Sequence, residues 1–369
     1  MDILSDWYNS LGDAVNPEDG RITWLGRRLA VPGLEPVTAS EILHVVPREK
    51  IIRPGRGPER LHMFGLPILR EKSGFALWEA ELSSAVAGVL TFATGRRIET
   101  FEEMALKPKE GDVFFSPVVQ LIDKRLDAPI DDGVDLAQSF RNIVLKLVKL
   151  EEKERLAVTA ALQLHYGACI LAPSSPTTAY TSVVAGIETL SRKFGSPPSD
   201  WFEWDLAATW DKFAREAGLT EDQHLSLRAK LMKDRQIRLK ETFSRYASSR
   251  LPESFYDEVY VDWTYVGDGV GGWQNGFEAW REPFSNFVPR DREDLRQSLK
   301  RSYDLRSEFV HTGRSSITFL TPGIPYDLGT SRGMTNESRY KSGDPLSFAM
   351  LRSVLVALIR AELNSAPVG

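Results

Sequence analysis

Residues 136–171 read LAQSFRNIVLKLVKLEEKERLAVTAALQLHYGACIL. Apolar residues recur there at spacings of three and four, the period of an amphipathic helix and not of a strand. The run is longer than an ordinary globular helix, so two helices are expected in it. PSSP at 173–176 stops the pattern, and TTAYTSVVAGIETLSRKFG resumes it up to Gly195. WDLAATWDKFAREAG predicts another helix, closed by Gly218. Thr220 with Gln223 is a capping box, and it opens one long helix over 221–249. Asp291 with Asp294 starts a further helix, and Asp344 followed by Pro345 starts the last one. In that last helix Phe348, Leu351, Leu355, Leu358 and Ile359 form one apolar stripe.

Upstream of this run the texture differs. EILHVV and LPILRE are short apolar pieces between Pro/Gly-rich segments such as RPGRGPER, a pattern of strands and loops. One helix, FALWEAELSSAVAGVLTFAT at 75–94, interrupts them and is closed by Gly95. The acidic turn APIDDGVD at 128–135 marks a candidate boundary. The expected architecture is therefore a mixed α/β N-terminal domain over 1–132, of unknown role, followed by an all-α helical bundle over 133–369. The aromatic, Gly-rich stretch at about 252–290 reads as an insertion of loop or hairpin character.

Composition narrows the function classes. The chain has 369 residues and a formal net charge of −5, with 42% hydrophobic and 26% charged residues, the profile expected of a soluble globular protein. No global basic charge advertises nucleic-acid binding, so any such site must be local. The single cysteine, Cys169, lies in the apolar run GACILA and reads as a small buried hydrophobe. One cysteine excludes a disulfide framework and a cysteine-based zinc cluster. The acidic N-terminus lacks the plan of a signal peptide, and no run approaches the ~20 apolar residues of a membrane span. A cytoplasmic address with no membrane partner is expected.

Several candidate motifs stay weak. GDGVGG at 267–272 has no strand-to-helix unit around it and no Gly-Lys-Ser/Thr after it, so a flexible turn is favoured over a phosphate loop. The five histidines, His44, His62, His165, His224 and His311, show no pair at metal-ligand spacing, so no metal site and no cofactor are expected. Between Arg228 and Arg250 stand eight basic residues against two acidic ones, Asp234 and Glu241. A solvated helix face explains that charge. The alternative is a seat for a phosphate backbone, with Arg228, Arg235, Arg238, Lys240 and Arg245 as its RNA-binding candidates.

RSYDLRSEFVHTG at 301–313 carries more. Arg306 and His311 can be read as a helix-ending signal, because cations suit a helix C-terminus and Gly313 is placed as its stop. The helical phase argues for more. At about 100° per residue, with Leu295 at zero, Leu299 falls near +40°, Tyr303 near +80°, Leu305 near −80°, Phe309 near −40° and Val310 near +60°. Arg306 falls near +20°, inside that apolar stripe. A guanidinium there needs an anionic partner, or a cleft that receives one. His311 lies about 140° from Arg306 on a straight helix, so the two converge within one chain only if the helix ends or bends near Val310.

YDLRSEFVHTG resembles the R-x4-6-H signature of HEPN-domain ribonucleases, in particular the Apea-like group. Arg306 and His311 match its two signature positions. VVAGIETLSRKFG resembles the early helix of that family, with Glu188 among apolar residues. The likeness covers roughly 134–365. It departs at Thr312, which separates His311 from Gly313. The resemblance implies a helical bundle that dimerises and sets two Arg/His pairs in a shared cleft. It implies metal-independent endoribonuclease chemistry leaving 2′,3′-cyclic phosphate ends, in toxin or anti-phage defence settings. Arg306 and His311 would be catalytic, with Ser307, Tyr303, Asp304 and Glu188 in supporting roles. The partners would be RNA and a second copy of the chain. Because the fold does not fix the function, the alternative is a non-catalytic HEPN module for dimerisation or for ligand or nucleic-acid binding.

Overall fold

The computed structural model describes residues 3–12, 22–24, 27–32, 44–47, 61–69, 76–95, 98–102, 136–172, 174–234, 238–266, 276–313 and 343–365. Ten α-helices dominate it. In chain order these are α1 Ile3–Gly12, α2 Ala76–Thr94, α3 Leu136–Lys149, α4 Glu152–Leu171 and α5 Pro176–Phe194. Next come α6 Ala207–Glu216, α7 Glu221–Lys233, α8 Leu239–Arg250, α9 Arg292–Thr312 and α10 Phe348–Asn364.

The expected mixed α/β N-terminal domain is not what the chain builds. Where side chains are described, the chain is helical almost throughout. α1 and α2 are built into the same core as the later helices: Trp7, Leu82, Val86 and Leu90 are buried in one cluster with Phe140, Val158, Ile187 and Leu358. The ladders among residues 22–102 are antiparallel and three or four residue pairs long. Strands that short cannot cover a core of their own; Ile68, paired with Thr23 in one of them, and Leu66 next to that strand are buried in the helical cluster. The candidate boundary at 128–135 lies outside the described residues.

The long apolar run at 136–171 divides as expected into α3 and α4, with Leu150 and Glu151 between them. Gly186 sits where α5 crosses α10. A Cβ there would lie 2.8 Å from Leu355 Cδ2, so the absent side chain sets how close the two helices come. The expectation of one helix over 221–249 is corrected. α7 stops at Asp234 and α8 begins after Arg238. Arg238 is buried there and donates to the carbonyls of Pro198 and Met232. The start of α10 is also later than expected, since Ser347 and not Asp344 caps it by accepting from the Met350 amide. The predicted insertion forms an antiparallel hairpin of Val259–Val266 with Gly276–Pro283. The GDGVGG turn itself lies outside the described residues.

Two features set the frame for the site. Leu346, just before α10, has both backbone groups held: the Tyr180 hydroxyl of α5 donates to its carbonyl at 3.0 Å, and its amide donates to the Ser302 hydroxyl of α9 at 3.1 Å. Residues 201–233 form a small annex with a hydrophobic cluster of its own: Trp201, Trp204, Ala207 and Leu231. Charges fasten it to the bundle. Lys300 Nζ lies 2.6 Å from Asp205 Oδ2 and 2.8 Å from Glu241 Oε2, and Arg245 lies 2.7 Å from Glu203.

Candidate functional site

α5 and α9 present the residues singled out by the sequence. α5 buries Val183, Val184, Ile187 and Leu190, which leaves Thr189 and Arg192 on its outer side. α9 is capped by Asp291, whose carboxylate accepts from the amides of Glu293 and Asp294, and it buries Leu295 and Leu299. Its C-terminal half is less enclosed than the apolar stripe suggested. Tyr303, Leu305 and Phe309 are half-buried against the core, and Val310 is exposed.

Arg306 stands at the edge of this stripe, 24% exposed, and one of its terminal nitrogens lies 3.6 Å from Glu188 Oε2. That separation is an ion pair and not a hydrogen bond. Glu188 is 9% exposed and gives its other oxygen to Arg192 at 2.6 Å. Among the described residues the Arg306 guanidinium donates no hydrogen bond, and its Nε is buried without a partner. The Tyr303 ring lies beneath it at 5.8 Å and is backed in turn by Phe243 at 5.3 Å. Burial and then the Glu188 charge push the Tyr303 hydroxyl above its ordinary pKa, so it stays a neutral neighbour.

Arg306 opens onto a groove of about 430 Å³ lined by Ala185, Glu188, Thr189, Arg192 and Lys193. Three cations therefore border a groove that holds one carboxylate. Lys193 shares Glu154 at 3.6 Å, and Arg192 is about half exposed. Such a surplus attracts an anion, and a guanidinium with free donors fits phosphate oxygens in a fork. Arg192 and Lys193 were not singled out from the sequence, although the i,i+4 spacing of Arg192 from Glu188 is a legible signal.

The remaining candidates are spread out. His311 is exposed in the last turn of α9, which runs unbroken to Thr312 and stops at Gly313, φ 67°. The bend that would bring His311 round to Arg306 is absent, so the two do not share a face within one chain. Ser307 is half-buried on α9. Asp304 accepts both of its bonds, at 2.9 Å, from Lys240. The basic stretch is largely spoken for. Arg228 is clamped by Asp211, Arg238 is buried on carbonyls, Lys240 takes Asp304, and Arg245 takes Glu203. Arg235 lies outside the described residues.

Asp211 organises the annex. It accepts from Trp201 Nε1, from Arg228 and from His224 Nε2. Burial would raise its pKa, but those three bonds outweigh burial and hold the carboxyl below its ordinary value. Among the described residues no cluster of three or more His, Cys, Asp or Glu side chains could hold a metal ion, and no helix is long and apolar enough to cross a membrane. Comparison with models of known families, with curated proteins and with solved structures finds no match to this chain.

Proposed function

We propose that the chain is a metal-independent endoribonuclease of the HEPN type, acting as a homodimer or larger homo-oligomer. The observation that carries this reading is Arg306: a largely buried guanidinium with its hydrogen-bond donors unused, facing a groove that it shares with Arg192 and Lys193. In this reading the cations seat the scissile phosphate and stabilise the charge that grows on it. The ribose 2′-oxygen attacks the adjacent phosphorus and the P–O5′ bond breaks. The proton leaving the 2′-hydroxyl and the proton arriving on the 5′-oxygen pass through an imidazole, the side chain that titrates near neutral pH. The products are a 2′,3′-cyclic phosphate and a 5′-hydroxyl. The exposed His311 of a second copy supplies that imidazole.

The test is RNA cleavage by the purified protein in chelator, with end-group analysis of the fragments. His311→Ala should lose about 10²–10⁴-fold in rate, and Arg306→Ala should lose activity as well. Growth arrest on expressing the chain, absent with His311→Ala, tests the toxin or defence setting. One observation favours a second reading, a non-catalytic binding module: α9 passes His311 without bending. On that reading no RNA is cut at any protein concentration, and both alanine variants behave as the parent.

A further inference from the structure

We propose that a second groove, beside the short 3₁₀ turn Trp201–Glu203, seats an unpaired base of single-stranded RNA a few nucleotides from the phosphate held at Arg306. The proposal rests on the ribonuclease reading of the Arg306 groove. It adds a subsite that recognises a base and not the backbone.

The platform is Phe202. Its ring is 76% exposed, the most exposed large apolar side chain among the described residues. It is nonetheless held in place. Asp200 Oδ1 accepts from the Phe202 amide at 2.9 Å and fixes the turn. The Arg228 guanidinium lies 5.7 Å from the centre of the Phe202 ring and 5.4 Å from that of Trp201. Arg228 is itself immobilised, with Nε 2.9 Å from one Asp211 oxygen and a terminal nitrogen 2.8 Å from the other. A fixed cation thus backs the ring and leaves its remaining surface in water. An aromatic ring so placed contributes little to the fold. It suits a base, because every base has a face to stack and the interaction tolerates sequence.

The groove has the size and polarity for such a ligand. Its volume is about 500 Å³, and its lining includes Phe202, Trp204, Glu203, Asp205, Arg245 and Arg296. Each carboxylate has a cation: Glu203 with Arg245, Asp205 with Lys300, Asp211 with Arg228. Acidic repulsion of a nucleic acid is thereby offset, while donors and acceptors line the walls. A floor of paired charges suits a planar ligand with hydrogen-bonding edges better than the apolar face of a protein helix. Arg245 and Arg296 stay 34% and 27% exposed at the rim, each already paired with a carboxylate, Glu203 and Glu293. Arg296 and Arg306 belong to one helix, ten residues apart, or about 15 Å along its axis and about 80° around it. An extended single strand spans that distance in a few nucleotides.

The experiment uses full-length His311→Ala protein, so that RNA survives, and a labelled unstructured RNA of about 12 nucleotides. Anisotropy titrations at two salt concentrations compare that parent with the added variants Phe202→Ala, Phe202→Tyr and Arg306→Ala. Phe202→Ala should weaken binding about 5- to 100-fold with an unchanged salt slope, since no charge is lost. Phe202→Tyr should restore it. Arg306→Ala should weaken binding and flatten the slope. If Phe202→Ala binds like the parent while Arg306→Ala does not, the base seat is overturned and the phosphate groove stands. If duplex RNA shows the same dependence on Phe202, the seat is overturned, because paired bases cannot stack there. If Phe202→Ala alters only self-association in light scattering, the ring belongs to a protein contact and the proposal fails. Absence of RNA binding by the His311→Ala parent overturns the seat outright, while cleavage by the unmutated protein judges the ribonuclease reading separately. Thermal melting controls for folding, and removal of an exposed phenyl ring should leave the melting temperature nearly unchanged.

Discussion

Arg306 and His311 stand five residues apart on one unbroken helix, so their side chains leave α9 about 140° from each other. On the proposed ribonuclease reading, a catalytic pair would therefore have to be assembled from two chains. That gives a complementation test. Arg306→Ala and His311→Ala proteins, each inactive alone, should regain activity when mixed, because a mixed dimer contains one site with both groups intact. Roughly a quarter of parental activity is expected at equal amounts in a symmetric dimer. A mixture as inactive as its components would rule out assembly across subunits.

Gly186 and Leu355 fix the crossing of α5 with α10. The α-carbon of Gly186 has no room for a side chain, since an added Cβ would approach Leu355 Cδ2 to 2.8 Å and Cδ1 to 3.2 Å, and Leu355 is wholly buried. Gly186→Val should cost about 2 kcal/mol through overpacking, read as a lower midpoint in denaturant at an unchanged slope. An unaltered midpoint would mean that the two helices can separate freely.

Lys300 is buried between Asp205 and Glu241. Its removal leaves the Glu241 carboxylate enclosed, with Arg296 3.7 Å away as its remaining cation. Lys300→Ala should destabilise by about 3 kcal/mol. The double variant Lys300→Met, Glu241→Met should lose less than that, because it strands no buried charge. Thermal melts of the two, side by side, decide the point.

Cys169 should make stability rise with pH. Burial pushes its thiol up, but His165 at 3.8 Å and Arg352 at 3.4 Å outweigh burial and bring it to about 6. The unfolded thiol titrates near ~8.5. A depressed folded value means that the contribution is fully present above ~8.5 and is lost as pH falls through about 6. At pH 7 it amounts to about 1 kcal/mol. Cys169→Ala should flatten the increase in melting temperature between pH 6 and 8.5; a parallel increase in both proteins would refute the thiolate.

The helices were legible where their signals are local. Thr220 with Gln223 does form a reciprocal cap, and Asp291 opens α9. The stripe from Phe348 to Ile359 is buried as its spacing required. The division between α7 and α8 was not legible. It depends on Arg238 reaching two carbonyls, one of them 40 residues away, and a helical pattern in sequence cannot show that. The N-terminal third misled because short β-branched and apolar pieces can pair as strands and still serve as cover for a helical core; Ile68 does both and Leu66 the latter. At the site, the phase of Arg306 pointed to an anionic partner and Glu188 is that partner. The charges of 228–250 were countable, but their partners Asp211, Glu203 and Asp304 lie 17 to 64 residues off.

The peptide of Leu346 belongs to neither wall of the Arg306 groove, yet it is pinned to both helices that build it, through Tyr180 on α5 and Ser302 on α9. It works as a gauge block set behind a vice. With its carbonyl and amide both engaged, α5 and α9 cannot spread or close without tearing a buried hydrogen bond. The jaw opening at the groove is thus dimensioned from the rear, by the chain as it enters α10. Tyr180→Phe, a change of one oxygen atom far inside the protein, relaxes that dimension while leaving every charge of the groove in place.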